Sequence, residues 1–337
     1  MKGRTFSVGF MIAILASLLL LPAAWAQQPK HGGTLRVAWE QDVTGFDPHW
    51  SIGLQVIYLV GNLFNTLVTV DDDPAAAVAW NFERIMDPEE RAPARPFFEI
   101  IEAVEPLDAH TVKFTLKYPT QTFLPTLAIH RTGFVIKSPT TYKTWGKKDA
   151  HLHPSGTGPF TLAKWESNQI IVLEKNSDYF QKGLPYLDRI EFKIMKDGIT
   201  RATALRAGEV DFVNYVPKEM VERLSKDPKL RLLRGPDTQH VHVSFNNSRK
   251  PFDDVRVRRA LGGYGIDRHA IAKIALLGLG KPLWSFVPPG GKDHIDFEEE
   301  FPYNPEKAKT LLKEAGFDEK NPLKYTIMTN QAEPSLP

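Results

Sequence analysis

The chain has 337 residues, of which 42% are hydrophobic and 24% charged, a balance that suits a folded globular protein and excludes wholesale disorder. With no cysteine, it has no disulfide, no thiolate nucleophile, no thiolate zinc site and no lipid-modified N-terminal cysteine. The formal charge of +2 traces to Lys2 and Arg4, so the rest of the chain is neutral and lacks the basic excess of a protein that holds a nucleic acid backbone.

Lys2 and Arg4 form a positive start, and Val8 to Leu21 is uncharged and mostly apolar. Ala24 and Ala26 place small residues where a signal peptidase reads them, which predicts a secretory signal over residues 1–26, cleaved after Ala26. The apolar run spans 14 positions. That is short of the roughly 18 expected of a spanning helix.

Thr34 to Trp39 alternates and predicts a strand, and Glu40 to Trp50, with Gly45 and Pro48, predicts an irregular loop. Ser51 is positioned to cap a helix running to Leu67, with Leu54, Ile57, Tyr58, Val60, Leu63 and Phe64 on its apolar stripe. Asp71-Asp72-Asp73-Pro74 ends that element, and Ala75 to Met86 predicts the next helix. Ile100 to Val104 and Thr111 to Leu116 predict two strands around a turn at Glu105 to His110.

From Gly158 onward strand signals dominate. Phe160 to Trp165 and Gln169 to Glu174 are expected to pair, and Arg189 to Met195 alternates. Ile199 to Ala207 predicts a helix closed by Gly208 in the left-handed position. Val210 to Val213, Leu230 to Leu233 and Gln239 to Phe245 read as strands, and Pro217 to Leu224 as a helix. Near the end, Asn304, Pro305 and Gly316 are the cap, first residue and stop of a helix with Ala308, Leu311, Leu312 and Ala315 on one face. Leu323 to Met328 is extended. Strands alternating with helices imply an α/β layer architecture.

The sequence contains no G-x-S-x-G, no H-E-x-x-H and no G-x-x-x-x-G-K-[ST]. His151 and His153 lie in a segment that reads as a solvated loop. In His240 to Phe245, Val241, Val243 and Phe245 are expected to enter the core while His240, His242 and Ser244 face a cleft or solvent. The acidic runs Asp71–Asp73 and Glu298–Glu300 read as solvated turns and surface. Trp39 and the loop residues Phe46, Asp47, His49 and Trp50 mix aromatic surface with donors and acceptors. They read equally as the wall of a small-molecule pocket or as packed aromatics.

Several blocks, taken in order, resemble the extracytoplasmic solute-binding proteins of family 5, which serve ABC importers of peptides, nickel and related solutes. The resemblance rests on Gly32-Gly33-Thr34-Leu35-Arg36-Val37 with Phe46-Asp47-Pro48-His49, on Trp80-Asn81-Phe82-Glu83-Arg84-Ile85, and on Gly156-Thr157-Gly158-Pro159-Phe160. It continues through Leu184-Pro185-Tyr186-Leu187-Asp188, Ala204 to Asp211, Phe245-Asn246, Pro251-Phe252 and Val255 to Leu261. It implies an α/β fold of the periplasmic binding protein type II kind (cluster C), whose two lobes close on a ligand.

On that resemblance, residues 27–50 and 156–250 form the sheet domain of lobe I, 51–155 a shortened second subdomain, and 251–337 the start of an incomplete lobe II. The function implied is that of a periplasmic, non-enzymatic and monomeric solute-binding component. It would hand a peptide or small solute to an inner-membrane ABC permease, with no cofactor, no metal and no nucleic acid. Trp39, Asp42, Val43, Thr44, Phe46, Asp47, His49, His242 and Asn246 are the expected ligand-binding residues, with backbone groups of Asp42 to Thr44 pairing to an extended peptide. The alternatives are a secreted metal-dependent hydrolase using His151, His153 or the acidic runs, or a metal- or haem-binding variant of the same fold using His49, His240 or His242.

Two departures from the family pattern stand out. A few dozen residues are expected to be missing after Asp73, and a family helix carries an extra residue among Gly262, Gly263 and Gly265, which predicts a break there. With lobe II incomplete, half the cleft wall is expected to be absent, so the chain is expected to bind its solute weakly or not at all.

Overall fold

The computed structural model describes residues 29–50, 53–65, 74–128, 135–235, 240–289, 291 and 293–328. The expected signal at 1–26, Ser51, Leu67 and Asp71 to Asp73 lie outside them. The chain forms two compact units. The first takes the residues up to Arg36 and Gln41–Lys193, and the second takes Val37–Glu40 with everything from Ile194.

Seven strands are assigned among the described residues: β1 Thr34–Trp39, β2 Ile101–Asp108, β3 Thr111–Leu116, β4 Phe160–Glu166, β5 Ile170–Lys175, β6 Arg189–Ile194 and β7 Phe212–Val213. Five follow the order β4-β5-β6-β1-β7. In the first unit β4, β5 and β6 run antiparallel, with Phe160 opposite Lys175 and Ile171 opposite Phe192. Ile171, Val172, Leu173, Ile190 and Phe192 are buried there, as their alternation and apolar character dictate.

The β2–β3 hairpin packs on the helix Pro74–Met86. Their shared core joins Val78, Phe82, Ile85, Phe98, Ile101 and Ile136. Phe82 makes edge contacts with Phe98 and Phe114 at centroid distances of 5.4 and 5.1 Å, the T-shaped arrangement that aromatic quadrupoles favour. The hairpin is longer than the sequence predicts. β2 continues to Asp108, whose Oδ1 accepts the His110 N–H at 2.8 Å, and the turn shrinks to Ala109 and His110.

In the second unit the end of β1 pairs in parallel with β7, Val37 opposite Phe212 and Ala38 opposite Val213. The helix Gly198–Ala207 covers them, packing Ala204 with Ala38 and Val210. Its Asp197 cap accepts the Thr200 N–H at 2.7 Å, and Gly208 closes it at φ 75°, as predicted. The helix Pro305–Glu314 also has its predicted cap, with Asn304 Oδ1 accepting the Lys307 N–H at 2.9 Å.

Other expectations are corrected. The helix expected from Ser51 to Leu67 is assigned over Leu54–Leu63, with Gly53 at its N-cap and no side-chain cap. Leu230 to Leu233 and the described part of Gln239 to Phe245 are not strands. Among the described residues no neighbouring strand pairs with either, and a β pattern without a ladder partner leaves its side chains in water. Val241 and Val243 are accordingly 66% and 56% exposed, not in the core.

The glycine-rich helix does not break. Val255–Arg258 is α-helical, and Arg259–Tyr264 continues as a π-helix. A π turn holds one more residue than an α turn, and the Arg268 guanidinium donates to the carbonyls of Gly262 at 2.6 Å and Gly263 at 3.4 Å. Tyr264 then packs with Ala260 and Ala308. Among the described residues no helix is long and apolar enough to cross a membrane.

Candidate ligand-binding loop

The loop Gln41 to Trp50 follows β1 and is held by two carboxylates. Asp42 fastens it to the β4–β5 turn. Its Oδ1 accepts from the Val43 N–H at 2.8 Å and Trp165 Nε1 at 3.1 Å, and its Oδ2 accepts from Ser167 Oγ at 3.1 Å and the Asn168 N–H at 2.7 Å. Phe46 then packs edge-on against Trp165 at 5.3 Å, and its N–H reaches the His151 carbonyl at 2.8 Å. Gly45 sits at φ 150°, and a Cβ there would come within 2.5 Å of His151 Cδ2, so only glycine lets the loop pass this close.

Asp47 is the second anchor. Its Oδ2 accepts from Lys137 Nζ at 2.7 Å, Arg84 Nη2 at 2.8 Å and Tyr142 Oη at 2.6 Å, and its Oδ1 accepts from the His49 N–H at 3.1 Å. The donors come from separate elements: Arg84 from the helix Pro74–Met86, Lys137 from the segment before the helix Pro139–Asp149, and Tyr142 from that helix. Asn81 locks Lys137 in place, donating to its carbonyl at 2.9 Å and accepting from its N–H at 3.2 Å. Ser138 caps the following helix by accepting the Thr140 N–H at 3.2 Å.

Electrostatics follow from this packing. Burial would push the Asp47 carboxyl up, but Lys137, with His49 and Arg84, outweighs it and holds the group far below the usual carboxylate range. Burial pulls the His49 imidazole down to about 4, against the upward pull of Asp47. Its partners define the neutral tautomer. Nε2 donates to the Val135 carbonyl at 3.1 Å, which leaves Nδ1 to accept from Arg84 Nη1 at 3.2 Å. Burial lowers Lys137, opposed by Asp47, while burial and Asp47 together raise Tyr142. The Arg84 guanidinium lies 4.2 Å from the Trp50 ring centroid and 4.1 Å from that of Tyr142, a cation–π sandwich inside the protein.

The expected site residues therefore divide. Val43, Phe46, Asp47 and His49 are buried in the first unit, and the polar groups of Asp47 and His49 are engaged by the protein itself. Asp42 is half-buried and Thr44 exposed, so this stretch of the loop meets solvent. Trp39 is buried in the second unit. His242 and Asn246 are exposed there, with Asn246 Oδ1 accepting the Ser248 N–H at 3.1 Å.

His151 and His153 are half-buried, not in a solvated loop. A 3-10 turn spans Ala150–Leu152, and His153 stacks on Trp145 at 3.6 Å. Sequence reasoning missed Arg84, Lys137, Tyr142 and the Trp165–Asn168 turn. The available signal was a charged residue inside an apolar run, as in Val135-Ile136-Lys137, which implies a buried partner.

Residues 74–336 match the family described as bacterial extracellular solute-binding proteins, family 5 Middle. The chain belongs to this family. Among its relatives, the glutathione-binding protein GsiB of Salmonella paratyphi A is 37% identical over 246 residues, covering 73% of this chain and 47% of that protein. GsiB of Pectobacterium atrosepticum is 38% identical, covering 72% and 46%.

Among solved structures, the periplasmic binding protein DppA of Helicobacter pylori, in complex with the peptide STSA, superposes with a TM-score of 0.71 at 25% identity, covering 86% of this chain and 67% of that one. AgaA of A. tumefacien, in complex with agropinic acid, gives 0.72 at 28%, covering 84% and 64%. The family 5 chain described here spans about half the length of the curated relatives it matches. The likenesses establish the α/β, type II periplasmic binding protein fold, and the family is one of binding proteins rather than enzymes.

Proposed function

We propose that this family 5 protein is the solute-binding component of an ABC importer and captures a short peptide or peptide-like solute. The observation that carries the reading is the loop after β1, fastened behind by Asp42 and Asp47 while Asp42 is half-buried and Thr44 reaches solvent. In α/β sheets ligands bind beyond the carboxyl ends of the strands, and a loop fixed by the scaffold presents its backbone at little entropic cost. Glutathione and peptides are what the names of its relatives and neighbours print. The same backbone-pairing logic would serve here, with side-chain sequence loosely specified.

The division into a lobe I sheet domain at 27–50 and 156–250, a second subdomain at 51–155 and the beginning of lobe II at 251–337 belongs to this proposal. So do export by the segment 1–26, a periplasmic location, a monomeric state and delivery to an inner-membrane permease. The family membership and the commitment of His49 to Arg84 and Val135 favour this reading over a metal-dependent hydrolase or a haem-binding variant.

Titration calorimetry of residues 27–337 with glutathione and the tetrapeptide STSA tests it. Saturable single-site binding is expected, weakened in Asp42→Ala, where the loop loses the turn at Trp165 to Asn168. Absence of saturable binding to any short peptide would refute the reading.

A further inference from the structure

The side of the first unit that carries the β2–β3 hairpin holds a pocket of about 500 Å³, a size that suits a small organic molecule. None of its walls comes from the loop Gln41 to Trp50 or from the residues that anchor that loop. The pocket forms where the 3-10 turn Arg95–Phe97 meets the end of β3. Ala94 and Phe98 turn into the core, so Arg95 and Phe97 between them line the pocket, and Phe97 is left 46% exposed. The Lys117 N–H donates to the Ile100 carbonyl at 2.9 Å, which prolongs the hairpin pairing past Leu116 and holds Lys117 in the same wall.

Arg95 carries the unexplained observation. Its Nε is sealed from solvent and meets no hydrogen-bond acceptor. Among the described residues the rest of its guanidinium makes no hydrogen bond either, and no carboxylate oxygen lies within 4.0 Å of it or of the Lys117 ammonium. A buried N–H without an acceptor is costly, and a guanidinium fork is best met by the two oxygens of a carboxylate. Glu99 also lines the pocket, unpaired with either cation, and repels a ligand that brings a second negative charge. Phe97 and Met86 add apolar wall beside these charges.

We infer that this pocket is a ligand site separate from the loop after β1, and that it takes the monocarboxylate of an apolar or aromatic organic acid. Arg95 receives the carboxylate through its fork, Lys117 adds charge, and Phe97 with Met86 receives the apolar body. The site does not depend on peptide capture.

The test follows the arginine Nε–H resonances by nitrogen–proton NMR as phenylacetate is titrated into the protein. A saturable shift of the Arg95 resonance, assigned by its loss in Arg95→Gln, is expected. By intrinsic fluorescence or calorimetry, Arg95→Gln should bind phenylacetate at least about 10-fold more weakly, as for a lost hydrogen bond to a charged group. Lys117→Gln, an exposed change that leaves the fold alone, should weaken it about 2- to 5-fold.

Neutral phenylacetamide tests the charge on the wild-type protein. It should give no saturable shift, and a shift equal to that of phenylacetate would overturn the carboxylate reading. Inorganic phosphate that binds as tightly as phenylacetate would overturn the choice of an apolar acid. Excess STSA should leave the phenylacetate titration unchanged, and competition between them would overturn a separate site. No saturable Arg95 shift with phenylacetate, or unchanged affinity in Arg95→Gln, would overturn the inference outright.

Discussion

Replacing Asp47 with asparagine removes the carboxylate that, among the described residues, pairs with both Lys137 and Arg84. Two cations, both nearly excluded from water, then lose their counter-charge, while the Tyr142 hydroxyl and the His49 N–H keep at best a neutral acceptor. Removing one partner of a buried pair costs about 3–5 kcal/mol, because the remaining charge stays desolvated. For a protein of this size, 1 kcal/mol moves the midpoint by about 2–4 °C. Asp47→Asn should therefore melt roughly 6–20 °C below wild type.

Charge balance supplies the control. Lys137→Met leaves Asp47 and Arg84 as a matched pair, so it should cost clearly less than Asp47→Asn, although Lys137 is the more deeply buried end. Because the residues touch, the double variant should be non-additive by about 0.5–3 kcal/mol. Thermal and urea melts followed by circular dichroism measure all three. An Asp47→Asn midpoint within about 2 °C of wild type would mean well under 2 kcal/mol, and the charge argument would be wrong. So would a Lys137→Met variant less stable than Asp47→Asn.

Two further predictions follow from the same physics. His49 is neutral in the fold down to about 4, whereas the unfolded side chain takes its proton near 6.5, so protons favour the unfolded chain between these values. Stability should be intact above about pH 6.5 and fall as pH drops toward 4, with His49 contributing on the order of 2 kcal/mol of loss by pH 5. Asp47 adds to the loss only below the ordinary carboxylate range. Urea midpoints at stepped pH should be steeper for wild type than for His49→Gln; identical slopes would remove His49 as the cause. Separately, Arg268→Ala takes the donor from the Gly262 and Gly263 carbonyls and should cost about 1–3 kcal/mol, with faster amide exchange confined to Arg259 to Tyr264.

What the sequence made legible was what short-range chemistry decides. The helix at Gly198–Ala207 ends at the predicted Gly208, and the helix at Pro305–Glu314 has the predicted Asn304 and Gly316, whereas the Asp197 cap went unread. β4, β5 and β6 alternate and lie near one another in the chain. His240 to Phe245 alternates equally well, but a strand exists only where a neighbour completes its ladder, which no local pattern reveals. The candidate loop was likewise visible as a stretch, and its chemistry was not. Asp47 meets Arg84 and Lys137 from 37 and 90 residues away. That separation turns a plausible pocket carboxylate into an internal anchor.

The π-helix at Arg259–Tyr264 has a consequence for how such a chain tolerates insertions. In an α-helix one added residue rotates everything after it by about 100° and would swing Tyr264 away from Ala308. A widened turn would absorb that rotation where it arises, and across this one Tyr264 packs with Ala260 and Ala308. Lengthening is thereby confined to one turn, provided a long donor such as Arg268 stands ready to hold the loosened carbonyls.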